Sequence, residues 1–302
     1  MKVKAGHSRP TRTRTWLSAH AMLSPWLLGA IGITAGPLIA SLVLSLTDYS
    51  ILGSTEYVGL ANYRAVFEDP KFFTSMAVTL TYVCLAVPLQ LALALGLALL
   101  LEKGIRCLGV YRAGFYLPSL LGASVAIALL WRQVFKSDGL VNAFLSIFGM
   151  PGRNWIYDPD TSLLTLVVLQ VWTFGSPMII FFAGLKEIPK NLIEAAIVDG
   201  AGYFRRLRSI VLPLLTPMIF FNVVLQTVGA FQSFNQAYII SGGTGGPVDS
   251  TLFYTLYVYI VGFVEYRMGY ASALAWVLVV FIGALTAVQF IMSRKWVHYG
   301  DQ

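Results

Sequence analysis

Six stretches of this chain run for 18 to 29 residues without a single Lys, Arg, Asp or Glu. They are Ala21–Leu46, Phe73–Leu101, Ala113–Leu130, Ser162–Leu185, Val211–Phe231 and Met268–Met292. A hydrocarbon core about 30 Å thick needs about 20 helical residues to cross it. Inside lipid every backbone N–H and C=O must find a partner within the protein. The pattern therefore predicts an all-α polytopic membrane protein, a bundle of six spanning helices. Composition agrees: 12% of the residues are charged and 57% hydrophobic, against about 25% charged in a soluble domain.

The net charge of +7 follows topology and not nucleic acid, because the basic residues sit in short patches between apolar runs. With the N-terminus inside, fifteen of the 21 Lys and Arg fall on the inner side. These are Lys2, Lys4, Arg9, Arg12 and Arg14; Lys103, Arg106 and Arg112; Lys186, Lys190, Arg205, Arg206 and Arg208; and Arg294 and Lys295. Arg64, Lys71, Arg132, Lys136, Arg153 and Arg267 fall outside. The positive-inside rule thus predicts cytoplasmic tails, 1–20 and 293–302, around a membrane domain of residues 21–292. The first apolar run is longer than a signal-peptide core and no A-x-A-like site follows it, so it reads as an uncleaved anchor.

Thr251–Val264 is apolar and aromatic but reaches only about 21 Å as a helix. Were it to cross, Arg294 and Lys295 would end outside. It is expected to be a re-entrant or interfacial segment on the outer side, with Tyr254, Tyr257 and Tyr259 at headgroup depth. The outer loops Thr47–Phe72 and Phe135–Thr161 either meet an external partner or cap the bundle.

Several chemistries find no residues. Cys84 and Cys107 lie in different layers, and His7, His20 and His298 have no metal-ligand spacing. No Gly-Lys pair exists, so no phosphate-binding loop of the G-x-x-x-x-G-K type is present. No Ser/His/Asp set or carboxylate pair sits in or beside a span. The spans also lack the intramembrane carboxylate on which an ion-coupled carrier depends.

Between the fourth and fifth stretches lies a structured polar segment, EAAIVDGAGYFRRLRSIVLPLLTP (residues 194–217). Pro189 fits the first turn of a helix, where its missing N–H costs nothing. Asn191 to Asp199 makes about two and a half turns, with Leu192, Ala195, Ala196 and Asp199 on one face by three- and four-residue spacing. Gly200 suits the left-handed conformation that ends a helix. A second short helix, Tyr203–Ile210, carries Arg205, Arg206 and Arg208, and Leu212-Pro213 starts the next span. The product expected is a helix–turn–helix along the inner membrane surface, its small-residue face outward. It would serve to dock a separate cytoplasmic chain, or be an ordinary amphipathic loop. The arginines either touch that chain or answer the positive-inside rule and anionic lipid.

This segment resembles the hallmark of the permease subunits of bacterial sugar-type ABC importers, of the maltose-transporter kind. Their EAA…G…I-x-L-P loop reads here as Glu194-Ala195-Ala196, Asp199-Gly200-Ala201, Ile210 and Leu212-Pro213, with Pro217 beyond. VGLANY (58–63), YLPSL (116–120) and FQSFNQAYIISGG (231–243) are also similar to that family, so the likeness covers most of the chain. The resemblance implies a type I ABC importer bundle in the bacterial inner membrane that moves a neutral oligosaccharide or disaccharide by alternating access. It makes residues 186–212 the coupling loop, with Glu194, Ala195, Ala196, Asp199 and Gly200 against the motor. Implied partners are a second homologous permease, two cytoplasmic ATPase subunits, an external substrate-binding protein and membrane lipid. ATP and Mg would be bound by the ATPase chains, so this chain is a conduit with no cofactor and not an enzyme. An ion-gradient-driven carrier, or the same importer carrying a glycerol-phosphate compound, are the alternatives.

Transporter sites lie near the bilayer midplane, with polar groups turned into the bundle. The fifth span offers Asn222, Gln226, Gly229 and Ser233 at spacings of four, three and four, as one helical stripe. Gln226 and Ser233 match by distance the family's sugar-contacting positions, although their residue types differ from the maltose pattern. Gln232 and Asn235 are second choices. In the fourth span Gln170 and Ser176 are polar, and Trp172 is able to stack on a pyranose. Polar stripes also hold helices together by hydrogen bonds, and both readings stand for these residues.

Overall fold

The computed structural model describes residues 22–50, 53, 55–104, 107–122 and 124–297. The expectations for Lys2, Lys4, Arg9, Arg12, Arg14, Arg106, the three histidines and Ala21 lie outside the described residues. In chain order the helices are α1 (Met22–Leu44), α2 (Ala61–Glu68), α3 (Pro70–Glu102), α4 (Leu108–Leu121), α5 (Val125–Val134), α6 (Leu140–Ile147), α7 (Pro159–Trp172), α8 (Gly175–Glu187), α9 (Lys190–Val198), α10 (Tyr203–Phe231), α11 (Asn235–Ser241), α12 (Tyr254–Val264) and α13 (Met268–Ser293). The fold is all-α and polytopic. Four helices are long and apolar enough to cross a membrane, and six spans result when each bent pair counts as one.

α3 is the axis of the bundle, packed against α7, α8, α10 and α12. Its buried side is a single stripe at spacings of three and four: Ser75, Thr79, Tyr82, Ala86, Gln90, Ala94, Ala98 and Leu101. The alanines are fully covered, which lets neighbouring backbones approach closely, the usual basis of helix packing in lipid. The hydroxyls of Ser75 and Thr79 bond back to the carbonyls of Phe72 and Ser75 at 2.9 and 2.8 Å. α1 is held differently. It lies along α13, where Trp276 Nε1 donates to Ser41 Oγ at 3.2 Å. Its C-terminal end is tied to α2: Asn62 Nδ2 donates to the Ser45 and Thr47 carbonyls at 2.9 Å each, and Tyr63 Oη lies 2.7 Å from Ser45 Oγ.

Three points refine the expectations. First, the stretches Ala113–Leu130 and Ser162–Leu185 are bent: α4 and α5 diverge by 95°, and α7 and α8 by 41°. Pro118 and Gly122 weaken the end of α4, and Ser124 Oγ then caps a new helix by accepting from Ile127 N. Second, Tyr203–Ile210 is no separate surface helix. It runs unbroken into the fifth span as α10, through a π-helical turn at Leu207–Val211 just ahead of Pro213, which has no N–H to give the regular ladder. Third, Tyr254 and Tyr257 do not face outward from the protein. Both are buried, with Tyr254 Oη donating to the Leu274 carbonyl at 2.8 Å and Tyr254 N to Thr79 Oγ1 at 2.9 Å. Tyr259 is half-buried, in a row of rings with Phe234, Tyr238 and Phe263.

α12 is joined to the N-terminal ends of α3 and α13 through one carboxylate. Asp69 caps α3, its Oδ1 accepting from Lys71 N at 2.9 Å. Its Oδ2 accepts the phenol hydrogens of Tyr257 and, at 2.8 Å, Tyr270. Partial burial pushes this carboxyl up, but the phenols and the Lys71 and Phe72 amides outweigh it and hold the group below its ordinary 3.8. A depressed carboxyl stabilises the fold above its ordinary value and ceases to do so as pH falls through the folded one. The purified subunit should therefore melt progressively lower as pH drops below about 4. Asp69→Ala should remove that acid dependence and cost about 2 kcal/mol at neutral pH, read as a lower thermal midpoint in detergent.

Candidate functional site

Two regions stand out: the loop helix α9 and a polar cup within the spans. Pro189 is the N-cap residue of α9, and the helix ends in a Schellman motif. Gly200 stands at φ +74°, Gly200 N donates to the Ile197 carbonyl at 3.0 Å and Ala201 N to the Ala196 carbonyl at 2.8 Å, which is the pairing such a terminus requires. Arg206 Nη1 clasps the Ala201 carbonyl at 2.6 Å, so one of the three loop arginines has a structural task. Arg205 and Arg208 are exposed.

No residue of α9 is buried. Leu192, Glu194, Ala195, Ile197, Val198, Asp199 and Gly200 are all exposed, and Ala196 is half-covered. The loop thus leaves an apolar, small-residue surface bare among charged residues. Beneath it a cavity of about 360 Å³ separates α9 from the ends of α3, α8 and α10, lined in part by Glu102, Lys186, Lys190, Glu194 and Arg206.

The cup lies where α10 stops. The helix ends at Phe231 and the chain passes through Gln232, Ser233 and Phe234 before α11 begins. This break is surrounded by Gln170, Gly229, Gln232, Ser233, Phe234, Asn235 and Gln236, which enclose about 320 Å³ with no ionisable side chain. Irregular backbone is tolerated at membrane depth only where it lines a cavity or is buried in protein. Here the local partners are supplied: Thr255 Oγ1 donates to the Ser233 carbonyl and Gln236 Nε2 to the Gly122 carbonyl, at 2.5 and 3.1 Å.

The expected stripe is therefore split. Gly229 and Ser233 line the cup together with Gln170, Gln232 and Asn235, but Ser233 lies beyond the end of the helix. Asn222 and Gln226 are not among the lining residues. Asn222 is fully buried, with Nδ2 on the Met218 carbonyl at 3.1 Å and Oδ1 without a partner. Trp172 packs on Trp131, centroids 5.7 Å apart, and Ser176 N donates to Ser119 Oγ at 2.9 Å. Gln236, Phe234 and, one layer back, Gln90 are contributors that sequence reasoning missed. The signal for Gln90 was present: a carboxamide in mid-span is costly unless it has work. Among the described residues no three His, Cys, Asp or Glu side chains gather as for a metal.

An exposed loop helix and a polar helix break thus sit in a bundle of up to six spans. Residues 65–298 match the family described as "Binding-protein-dependent transport system inner membrane component". The chain belongs to that family and is a multi-pass bacterial inner-membrane subunit of ABC-importer type, a class that works with a separate ATPase and an external binding protein. It is 47% identical over 285 residues to the "Probable ABC transporter permease protein YesP" of Bacillus subtilis (strain 168), covering 94% of this chain and 92% of that one. It is 37% identical to the "sn-glycerol-3-phosphate transport system permease protein UgpA" of Agrobacterium fabrum, covering 82% and 84%. Its fold matches a chain of a bacterial alginate ABC transporter crystallised with an alginate pentasaccharide-bound periplasmic protein, at TM-score 0.81 and 22% identity over 94% and 96% of the two chains. Membership in this family removes the ion-gradient carrier as a reading.

The start of α8 lies close against α4. A Cβ on Gly175 would run into the Phe115 carbonyl and come within 2.7 Å of Tyr116 Cα and 2.9 Å of Ser119 Oγ. Gly175→Ala should force α4 away from α8 at about 1–3 kcal/mol, measurable as a lower thermal midpoint, whereas an alanine variant of unchanged midpoint would show the two helices free to separate.

Proposed function

We propose that this subunit forms half of a pathway for a neutral, hydroxyl-rich solute, a disaccharide or oligosaccharide. A second homologous permease would supply the other half, and two ATPase chains would dock on the inner face. The observation that carries the substrate class is the cup. Four carboxamides, one hydroxyl and one aromatic ring line it and no charge does. Its volume falls at the small end of the ~300–1,000 Å³ usual for ligand sites, and the partner permease would enlarge it. Amides both donate and accept, which suits sugar hydroxyls. An isolated phosphate would lack the cation that a dehydrated anion demands.

The termini then lie in the cytoplasm, as the distribution of Lys and Arg requires. An external binding protein delivers the solute. ATP closes the motor, and Glu194, Ala195, Ala196, Asp199 and Gly200 transmit that closure through α9 so that the cup opens outward. Release of ADP and phosphate restores the inward-facing state. Gln170, Ser233 and the carboxamides beside them hold the solute in the cup. Asn222, Gln226 and Trp172 support them from the wall. The segment 251–264 stays on the outer side and does not cross.

A second reading, transport of a glycerol-phosphate compound, draws on the similarity to UgpA and would need a cation from the partner permease. Uptake into proteoliposomes holding the complete transporter separates the two: saccharide uptake unaffected by excess glycerol 3-phosphate supports the first, and accumulation of glycerol 3-phosphate alone supports the second. Glu194→Lys and Gly200→Asp should leave the subunit in the membrane at normal levels and abolish uptake. Normal uptake by both variants would contradict the coupling role.

A further inference from the structure

The cup's most buried wall is a directional chain of hydrogen bonds. Gln90, on the covered stripe of α3, is 1% exposed. Its Nε2 donates to the Thr173 carbonyl at 3.0 Å and to Thr173 Oγ1 at 3.1 Å. Its Oε1 accepts from Gln170 Nε2 at 3.1 Å, and Gln170 Oε1 accepts from Tyr82 Oη at 3.2 Å. Thr173 lies in the break between α7 and α8, outside either helix, and its own hydroxyl donates to the Gln170 carbonyl at 2.7 Å.

The direction of this chain has one origin. A backbone carbonyl can only accept, so Thr173 compels Gln90 to present its nitrogen. Gln90 must then offer oxygen to Gln170, and Gln170 must answer with nitrogen. A carboxamide that would otherwise sit in either of two flipped states is confined to one. Gln170 keeps one N–H and one Oε1 lone pair uncommitted beside the cup that it lines.

We propose that Gln90 is a positioning residue for solute selection: through Thr173 it fixes which edge of the Gln170 carboxamide meets the solute, and so which hydroxyl arrangements the cup accepts. This rests on the carbohydrate reading above. It makes specificity a property of α3 and the α7–α8 break as much as of the cup's own surface. A site whose donors and acceptors are fixed in advance rejects a misplaced hydroxyl because its buried polar groups are left unpaired.

Gln90→Met tests the idea with little risk to folding. The volume is nearly kept, and the Thr173 carbonyl retains its bond from Ser119 Oγ at 2.8 Å. The complete transporter in proteoliposomes would be given radiolabelled lactose, trehalose and maltose with the same binding protein throughout, and the ratio of best to poorest uptake measured. Gln90→Met and Gln170→Ala should each lower that ratio by about tenfold, the worth of one oriented hydrogen bond. The double variant should lower it no further, since both changes remove one unit. Three outcomes would overturn the proposal: equal loss of uptake for all three sugars in Gln90→Met, effects of the two changes that multiply, or a wild-type ratio near one. Failure of wild type to take up any saccharide would instead overturn the carbohydrate reading, and this assignment with it.

Discussion

A helix that breaks inside a membrane exposes carbonyls and amides that lipid cannot satisfy, and two of this subunit's breaks are met in the same way. At the first, between α7 and α8, the Thr173 carbonyl receives Gln90 from α3 and Ser119 from α4. At the second, between α10 and α11, the Ser233 carbonyl receives Thr255 from α12. Each unsatisfied group would cost several kcal/mol in hydrocarbon. The breaks therefore persist only because neighbouring helices carry one polar side chain each at the right height.

That arrangement links the inner face to the cup by a short physical route. α8 runs from the first break to Glu187, and after Ile188 and Pro189 the chain enters α9. A push on α9 would thus reach a helix whose far end is held by hydrogen bonds at Thr173 and Ser176 and by the tight seat of Gly175 against α4. Rigid elements with two discrete arrangements are what coupling between distant sites needs. The exposed Ile197 and Val198 on α9 mark where the force would enter.

Much of this was legible in the sequence, for identifiable reasons. Spans announce themselves because a charge in lipid is costly, and a run without Lys, Arg, Asp or Glu is hard to mistake. The end of α9 was readable because Gly200 is the one residue type at ease at φ +74°. Bends were not readable: Pro118 and Pro217 look alike in sequence, yet α4 ends just after the first while α10 continues through the second. At Pro217 the carbonyl left free four residues earlier, that of Pro213, accepts from Thr216 Oγ1 at 2.7 Å. Nor does periodicity reveal where a helix stops, so Ser233 was counted on a stripe that had already ended at Phe231. Tyr254 and Tyr257 misled for a related reason. A tyrosine near a membrane surface and one whose phenol meets a buried carbonyl or an Asp69 carboxylate carry the same letter.

The central claim is that α9 is a lever worked by another polypeptide, and proximity tests it most directly. With the native Cys84 and Cys107, both exposed, replaced by serine, Ala195→Cys would be treated in intact cells with a short bifunctional thiol reagent. Capture of a nucleotide-hydrolysing subunit at this position, lost when the ATPase partner is deleted, is the result expected. An Ala195→Cys subunit that is present, reactive and never joined to an ATPase would contradict the account.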